Sequence, residues 1–106
     1  MNITSLALKL YRISEIQVKK TIDQNLKKIC QEIIDEKKTI QDWIDIESDD
    51  YFNDGSYSGG FDSIEEAFCF SFYNEQGEEF WFQISLEDCE RIIHGDQKTI
   101  LMRRVI

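Results

Sequence analysis

The chain has 106 residues, 21 of them acidic and 12 basic, and its formal net charge is −9. This length allows one domain, residues 1–106, and the 42% of hydrophobic residues argue against disorder. The charge argues against direct binding to nucleic acid and to an anionic membrane surface, because both are polyanions.

Helices are predicted in the first third of the chain. Residues 5–13 can form a short helix, and Ser14 with Gln17 has the spacing of a capping box. Apolar residues then recur at steps of three and four, which predicts a helix over residues 14–36. The apolar stripe consists of Ile22, Leu26, Ile29, Cys30, Ile33 and Ile34.

A short helix and a turn region are predicted next. Thr39 is placed to cap a helical segment that carries Trp43. Residues 51–60 contain Asp-Gly and Gly-Gly, which are turn signals and allow a short hairpin.

The strongest local pattern predicts a β-hairpin. Residues 67–73 and 80–84 both alternate apolar side chains with a period of two, and residues 74–78 between them form a loop with Gly77 suited to positive φ. If the strands pair, one apolar face results from Phe68, Phe70, Phe72, Phe80, Phe82 and Ile84. Trp81 would lie on the opposite face.

The chain is predicted to end with a helix and a strand. Ser85 can cap a helix over residues 86–94, and Gly95 can end it. Residues 99–105 can form a last strand, in which Arg103 and Arg104 indicate a sheet edge or an exposed end. The expected fold class is α+β, with N-terminal helices packed on an antiparallel β-sheet.

Charge is distributed unevenly along the sequence. Residues 1–40 carry eight basic and five acidic side chains, whereas residues 41–96 carry sixteen acidic side chains and one basic one. Residues 97–106 have a net charge of +3, like residues 1–40, and the middle segment has −15. This asymmetry predicts a polarised surface.

The residues that could carry catalysis or bind a metal form no recognisable motif. A calcium loop beginning at Asp50 would need oxygen ligands where Phe52 and Phe61 stand. His94 is the single histidine, and the three cysteines, at positions 30, 69 and 89, have no motif around them. We therefore expect no enzyme, no metal and no cofactor. Without a basic, apolar leader, we expect a cytoplasmic protein with reduced thiols.

An acidic segment with interspersed aromatic residues remains as the candidate binding surface. Carboxylates suit recognition of Arg and Lys clusters, and tyrosine is enriched at interface hot spots. A solubility role is the plain alternative. The predicted partner-binding residues are Asp42, Asp45, Glu47, Asp49, Asp50, Tyr51, Asp54, Tyr57, Phe61, Asp62, Glu65 and Glu66.

The chain resembles the small acidic immunity proteins of bacterial toxin–immunity systems, particularly those of contact-dependent growth inhibition. The resemblance is carried by its size, its acidic middle, residues 43–47 with the sequence WIDIE, and the Phe/Trp-rich hairpin followed by QISLED at residues 83–88. It implies a protein that binds one cognate toxin domain, often a nuclease, and covers its active site. A nucleic-acid mimic that inhibits a DNA-binding enzyme, of the anti-restriction or anti-CRISPR type, is the alternative hypothesis.

Overall fold

The computed structural model describes residues 13–46 and 51–105, and the side chains of residues 16–46 and 52–105. The fold is α+β, as predicted. Its elements in chain order are β1 Ile13–Thr21, α1 Gln24–Asp35, α2 Ile40–Ile46, β2 Tyr51–Asp54, β3 Tyr57–Asp62, β4 Ala67–Tyr73, β5 Glu79–Ile84, α3 Leu86–Ile93 and β6 Thr99–Val105. Among these described residues, no helix is long and apolar enough to cross a membrane.

The strands form one antiparallel sheet in the order β1-β6-β5-β4-β3-β2. The predicted hairpin of β4 and β5 is confirmed: Phe68 lies opposite Ile84, Phe70 opposite Phe82, and Phe72 opposite Phe80. These side chains form one face of the sheet. Together with the apolar sides of α1 and α3 they make the core, in which Leu26, Ile29, Ile33, Cys89 and Ile92 are buried. Trp81, on the other face, is half-buried.

The hairpin that residues 51–60 allow is also present. Asp54 pairs with Tyr57, which leaves a two-residue loop in which Gly55 has φ 60°. A type II′ hairpin turn needs positive φ at this first loop position, and glycine adopts it without strain. Gly59 in β3 has a different reason, since a Cβ there would lie 2.0 Å from the carbonyl oxygen of Cys69.

The helix predicted over residues 14–36 is wrong in its first part. Ile13–Thr21 is a strand, and the helix begins after Asp23, whose carboxylate accepts a hydrogen bond from the Leu26 N–H. The Ser14 capping pattern therefore lies inside β1. Pairing of β1 with β6 overrides the local helical signal. The helix predicted over residues 5–13 lies outside the described residues except for Ile13, which begins β1.

The last strand is confirmed. Of the two interpretations of its arginines, the sheet edge is wrong, whereas Arg104 is exposed near the end of the strand, as the other one expects. β6 pairs with β1 along its length on one side and with β5 on the other. The Arg104 guanidinium forms an ion pair with Glu78, in the β4–β5 loop, at 2.6 Å. The edge prediction failed because it was based on the two arginines, whereas β1, which was predicted as helix, supplies the second neighbour of β6.

Both predicted helix caps in the second part of the chain are confirmed. Thr39 and Asp42 exchange hydrogen bonds at the start of α2. Ser85 and Asp88 form a capping box at the start of α3, and Gly95 follows its C-terminus with φ 81°. The side chain of Ser or Thr satisfies backbone N–H groups that the first helical turn leaves without partners.

Candidate partner-binding surface

Helix α2 is fixed beside the turn that joins β3 to β4. The Trp43 side chain is 1% exposed and holds this arrangement. Its ring stacks on Phe61 with a centroid distance of 5.9 Å and meets Phe68 edge-on at 5.1 Å. Phe61 and Phe68 are cross-strand partners, one pair away from the turn. The structure thus brings two parts of the acidic segment, residues 40–46 and 62–66, to the same end of the sheet.

Five of the predicted partner-binding residues lie at this end, and none of them forms an ion pair with a described cation. We call this set the acidic end; its members are Asp42, Asp45, Asp62, Glu65 and Glu66. Asp42, Asp45 and Glu66 are exposed, and the other two are half-buried. Unpaired carboxylates at one end of a small domain create a negative potential that attracts cations.

The carboxylates on α2 are oriented by local hydrogen bonds. Asp42 accepts one from the Thr39 N–H at 2.9 Å, and Asp45 accepts one from the Gln41 side chain at 2.8 Å. The backbone hydrogen bond from Thr39 is the main cause that lowers the pKa of Asp42, with smaller contributions from the Thr39 side chain and the charge of Lys38. Asp42 therefore stays ionised at neutral pH while it caps the helix.

The β3–β4 turn presents the other three carboxylates. Asp62 accepts hydrogen bonds from the N–H groups of Ile64 at 2.9 Å and Glu65 at 3.2 Å, which is the local pattern by which Asp initiates a turn. Glu66 has φ 55°, a left-handed conformation that is strained for a residue with a Cβ. The Glu65 Oε1 atom is buried and has no hydrogen-bond partner among the described residues.

Two exposed isoleucines lie among these charges. Ile64, in the β3–β4 turn, is 76% exposed, and Ile46, the last residue of α2, is 45% exposed. Apolar side chains bordered by charged groups are the arrangement expected of an interface anchor with a polar rim. The sequence reasoning missed both residues. An isoleucine inside the turn sequence Asp-Ser-Ile-Glu-Glu was the available signal, since it fits no core periodicity.

One basic side chain is part of the same region. The Lys38 ammonium lies 4.7 Å from the centre of the Trp43 ring and pairs with Glu36 at 2.6 Å. Lys38 covers the tryptophan, and its own carboxylate partner lies outside the acidic end. The acidic end is therefore bordered by a cation, but its carboxylates are not directly paired with it.

Three other predicted partner-binding residues have different surroundings. Asp54, the last residue of β2, lies beside the start of β3 and pairs with Lys28 of α1 at 3.5 Å. Tyr57 is 1% exposed, so it is a core residue and offers no contact area. Its hydroxyl donates a hydrogen bond to Asp23 at 2.8 Å, and burial raises its pKa. Phe61 is half-buried against Trp43.

The remaining predicted residues cannot be placed in this surface. Glu47, Asp49 and Asp50 lie outside the described residues. Of Tyr51, the structure describes only the backbone, which pairs with Gly60 in the β2–β3 hairpin.

The cysteines are not set up as nucleophiles. Burial, followed by the charges of Asp62 and Glu65, raises the pKa of Cys69 to about 12, so its thiol is protonated at neutral pH. A hydrogen bond to Cys30 and burial likewise raise the pKa of Cys89. His94 is exposed at the end of α3. Over the described residues, no group of three His, Cys, Asp or Glu side chains could hold a metal ion.

No protein-family model matches the chain, and searches of the curated proteins and of the solved structures returned no significant match.

Proposed function

We propose that the protein is an immunity or inhibitor protein that neutralises a basic toxin domain of the nuclease class by covering its active site. The observation that carries the proposal is the acidic end: five carboxylates on α2 and the β3–β4 turn without an ion-pair partner among the described residues. Such a set is electrostatically unfavourable in the free protein, and a cationic partner compensates it.

The chemistry of a nuclease cleft fits this surface. A nuclease binds phosphates through Arg and Lys side chains, and carboxylates can occupy the same positions, often with two hydrogen bonds to one Arg. Opposite charges also steer the two proteins together, so association is fast and falls as salt is added.

The two exposed isoleucines supply the apolar contact area that ion pairs alone do not provide. Ion pairs at an interface rim contribute little net affinity, whereas a buried apolar anchor contributes strongly. Ile64, at 76% exposure, has the most apolar area to lose on binding. In this proposal, Ile64 enters an apolar recess of the toxin while Glu65 and Glu66 bind cations around it.

The proposal expects a gene for the toxin beside the gene of this protein, and the toxin domain so encoded is the binding partner to test. Binding is measured by calorimetry at low and at moderate salt, and toxin activity is measured with and without the protein. We expect Glu66→Lys to weaken binding and to reduce its salt dependence. The control is Glu75→Lys, which makes the same change at an exposed site in the β4–β5 loop, outside the acidic end.

Two results would count against the proposal. Absence of binding at low salt would remove the toxin as the partner. Equal effects of Glu66→Lys and Glu75→Lys would show that the acidic end is not the interface. Inhibition of an unrelated DNA-binding enzyme, without toxin binding, would instead support the nucleic-acid-mimic hypothesis.

A further inference from the structure

One face of the sheet carries no helix among the described residues. All three helices pack on the phenylalanine face: α1 and α3 supply buried core residues, and α2 packs there through Trp43 against Phe61 and Phe68. Successive side chains of a strand point to opposite faces, so the residues that alternate with the core residues point away from the helices. We call this second face the open face; its members used below are Lys19, Tyr73, Glu79, Trp81, Leu101 and Arg103.

The open face exposes apolar side chains. Leu101 on β6 is 53% exposed, and Tyr73 on β4 is 46% exposed. Trp81 lies on β5, the strand between them, and is half-buried. Exposed apolar side chains that are grouped on one surface and bordered by polar ones often mark a protein–protein interface.

The charges of the open face are divided between its two halves. The cations Lys19 and Arg103 lie on β1 and β6, and neither forms an ion pair with a described residue. Glu79 lies on β5, and its carboxylate accepts a hydrogen bond from the Ser71 hydroxyl on β4 at 3.3 Å. Positive charge therefore lies on the β6 side of Trp81 and negative charge on the β4 side. Such a face is complementary to a second copy of itself turned by 180°.

We propose that two copies of the protein form a symmetric dimer through their open faces, independently of toxin binding. A two-fold axis along β5 places the Trp81 side chains of the two copies against each other and β6 of one copy over β4 of the other. Arg103 then lies beside the Glu79 carboxylate of the second copy. In the same arrangement β1, with Lys19, lies over β3 of the second copy, whose outward-facing carboxylate is Asp62.

The open face is large enough for a weak dimer. Six strands about 4.8 Å apart and about six residues long form a face of roughly 500 Å². Two such faces bury about 1,000 Å², which is near the lower limit for a specific interface. Trp81 and Leu101 supply the apolar centre, and the Arg103 ion pairs fix the orientation of the two copies. The dimer is therefore reversible, and its fraction rises with protein concentration.

The test is sedimentation-equilibrium ultracentrifugation of the full chain from micromolar to millimolar concentration, in which we expect a monomer–dimer equilibrium. Leu101→Glu should weaken association at least about tenfold, because it places a carboxylate in the apolar centre. Leu101→Met keeps an apolar side chain there and should leave association unchanged. Circular dichroism checks that both variants are folded. A wild-type chain that stays monomeric throughout, or a Leu101→Glu variant that associates like wild type, would overturn the proposal.

A pair of charge reversals tests the two-fold arrangement. Arg103→Glu and Glu79→Arg should each weaken self-association about tenfold or more, because each places like charges opposite one another. An equimolar mixture of the two variants has opposite charges at both contacts and should associate like wild type. Lys27→Glu, at an exposed site on α1, is the control and should have no effect. A mixture that associates no better than either variant alone would overturn the pairing of Arg103 with Glu79.

Discussion

Acidic residues lie near both ends of the β3 strand, but their environments differ. At the acidic end, Asp62 and its neighbours form no ion pair with a cation that the structure describes. At the other end, which we call the paired end, Asp23 and Asp54 are matched by Lys20, Lys28 and Tyr57. Asp23 caps α1, binds the buried Tyr57 hydroxyl at 2.8 Å and pairs with Lys20 at 3.4 Å.

The origin of the matching groups explains this difference. Lys20, on β1, and Lys28, on α1, come from the basic first part of the chain, and the fold brings them to Asp23 and Asp54 near the start of β3. The same residues do not reach the β3–β4 turn. Tertiary structure therefore neutralises the carboxylates of the paired end and leaves those of the acidic end available to a partner. The net charge of −15 over residues 41–96 does not reveal this difference.

We expect the largest effect from replacement of Trp43, because its side chain attaches α2 to the β3–β4 hairpin. Trp43→Ala should lower the free energy of unfolding by about 3–5 kcal/mol, as for other buried aromatic residues. Urea unfolding monitored by circular dichroism gives this value. The control is Trp81→Ala, since Trp81 is only half-buried and should cost less. An equal cost for the two variants would show that Trp43 does not hold the acidic end in place.

The next largest effect should come from the paired end. Tyr57→Phe removes the hydroxyl that donates to Asp23 and should lower the free energy of unfolding at neutral pH by about 1–2 kcal/mol. Partial burial favours the neutral form of Asp23. Hydrogen bonds from Leu26 and Tyr57, with the charge of Lys20, outweigh it and lower the pKa below 3.8.

The pH dependence of the Tyr57→Phe effect identifies its cause. A carboxyl with a lowered pKa in the folded state stabilises the fold above its unfolded pKa, and this stability is lost as pH falls through the folded pKa. The difference between wild type and Tyr57→Phe should therefore be constant above about pH 5 and shrink below pH 3.8. Urea unfolding curves of both proteins, recorded above pH 5 and again below pH 3.8, measure this difference in the free energy of unfolding. A difference that stays constant to low pH would mean that the variant loses packing against Phe72 and not the bond to Asp23.

The sequence predicted features that depend on neighbouring residues better than features that depend on distant segments. Short-range rules, which act within a few residues, predicted the hairpin of β4 and β5, the helix caps at Thr39 and Ser85, and the turn at Gly55. The strand β1 and the pairing of Asp54 with Lys28 depend on segments distant in the sequence. Tyr57 was predicted to face a partner because tyrosine is common at interfaces, but its hydroxyl finds Asp23, 34 positions earlier in the chain.

The smallest predicted effect comes from replacing Glu66, in the acidic end itself, by glycine. Glu66 and Lys37 both have φ 55°, so glycine at either position relieves the same left-handed strain, offset in part by the greater freedom of the unfolded chain. Each variant should stabilise the protein by about 0.5–1 kcal/mol. Glu66→Gly also removes one of the five carboxylates of the acidic end, which have no ion-pair partner among the described residues, so at low salt its gain should exceed that of Lys37→Gly. At high salt, where repulsion among exposed charges is screened, the two gains should converge. If the gain from Glu66→Gly is the same at both salt concentrations, the carboxylates of the acidic end do not repel one another, and the free protein has no electrostatic cost for a basic partner to remove.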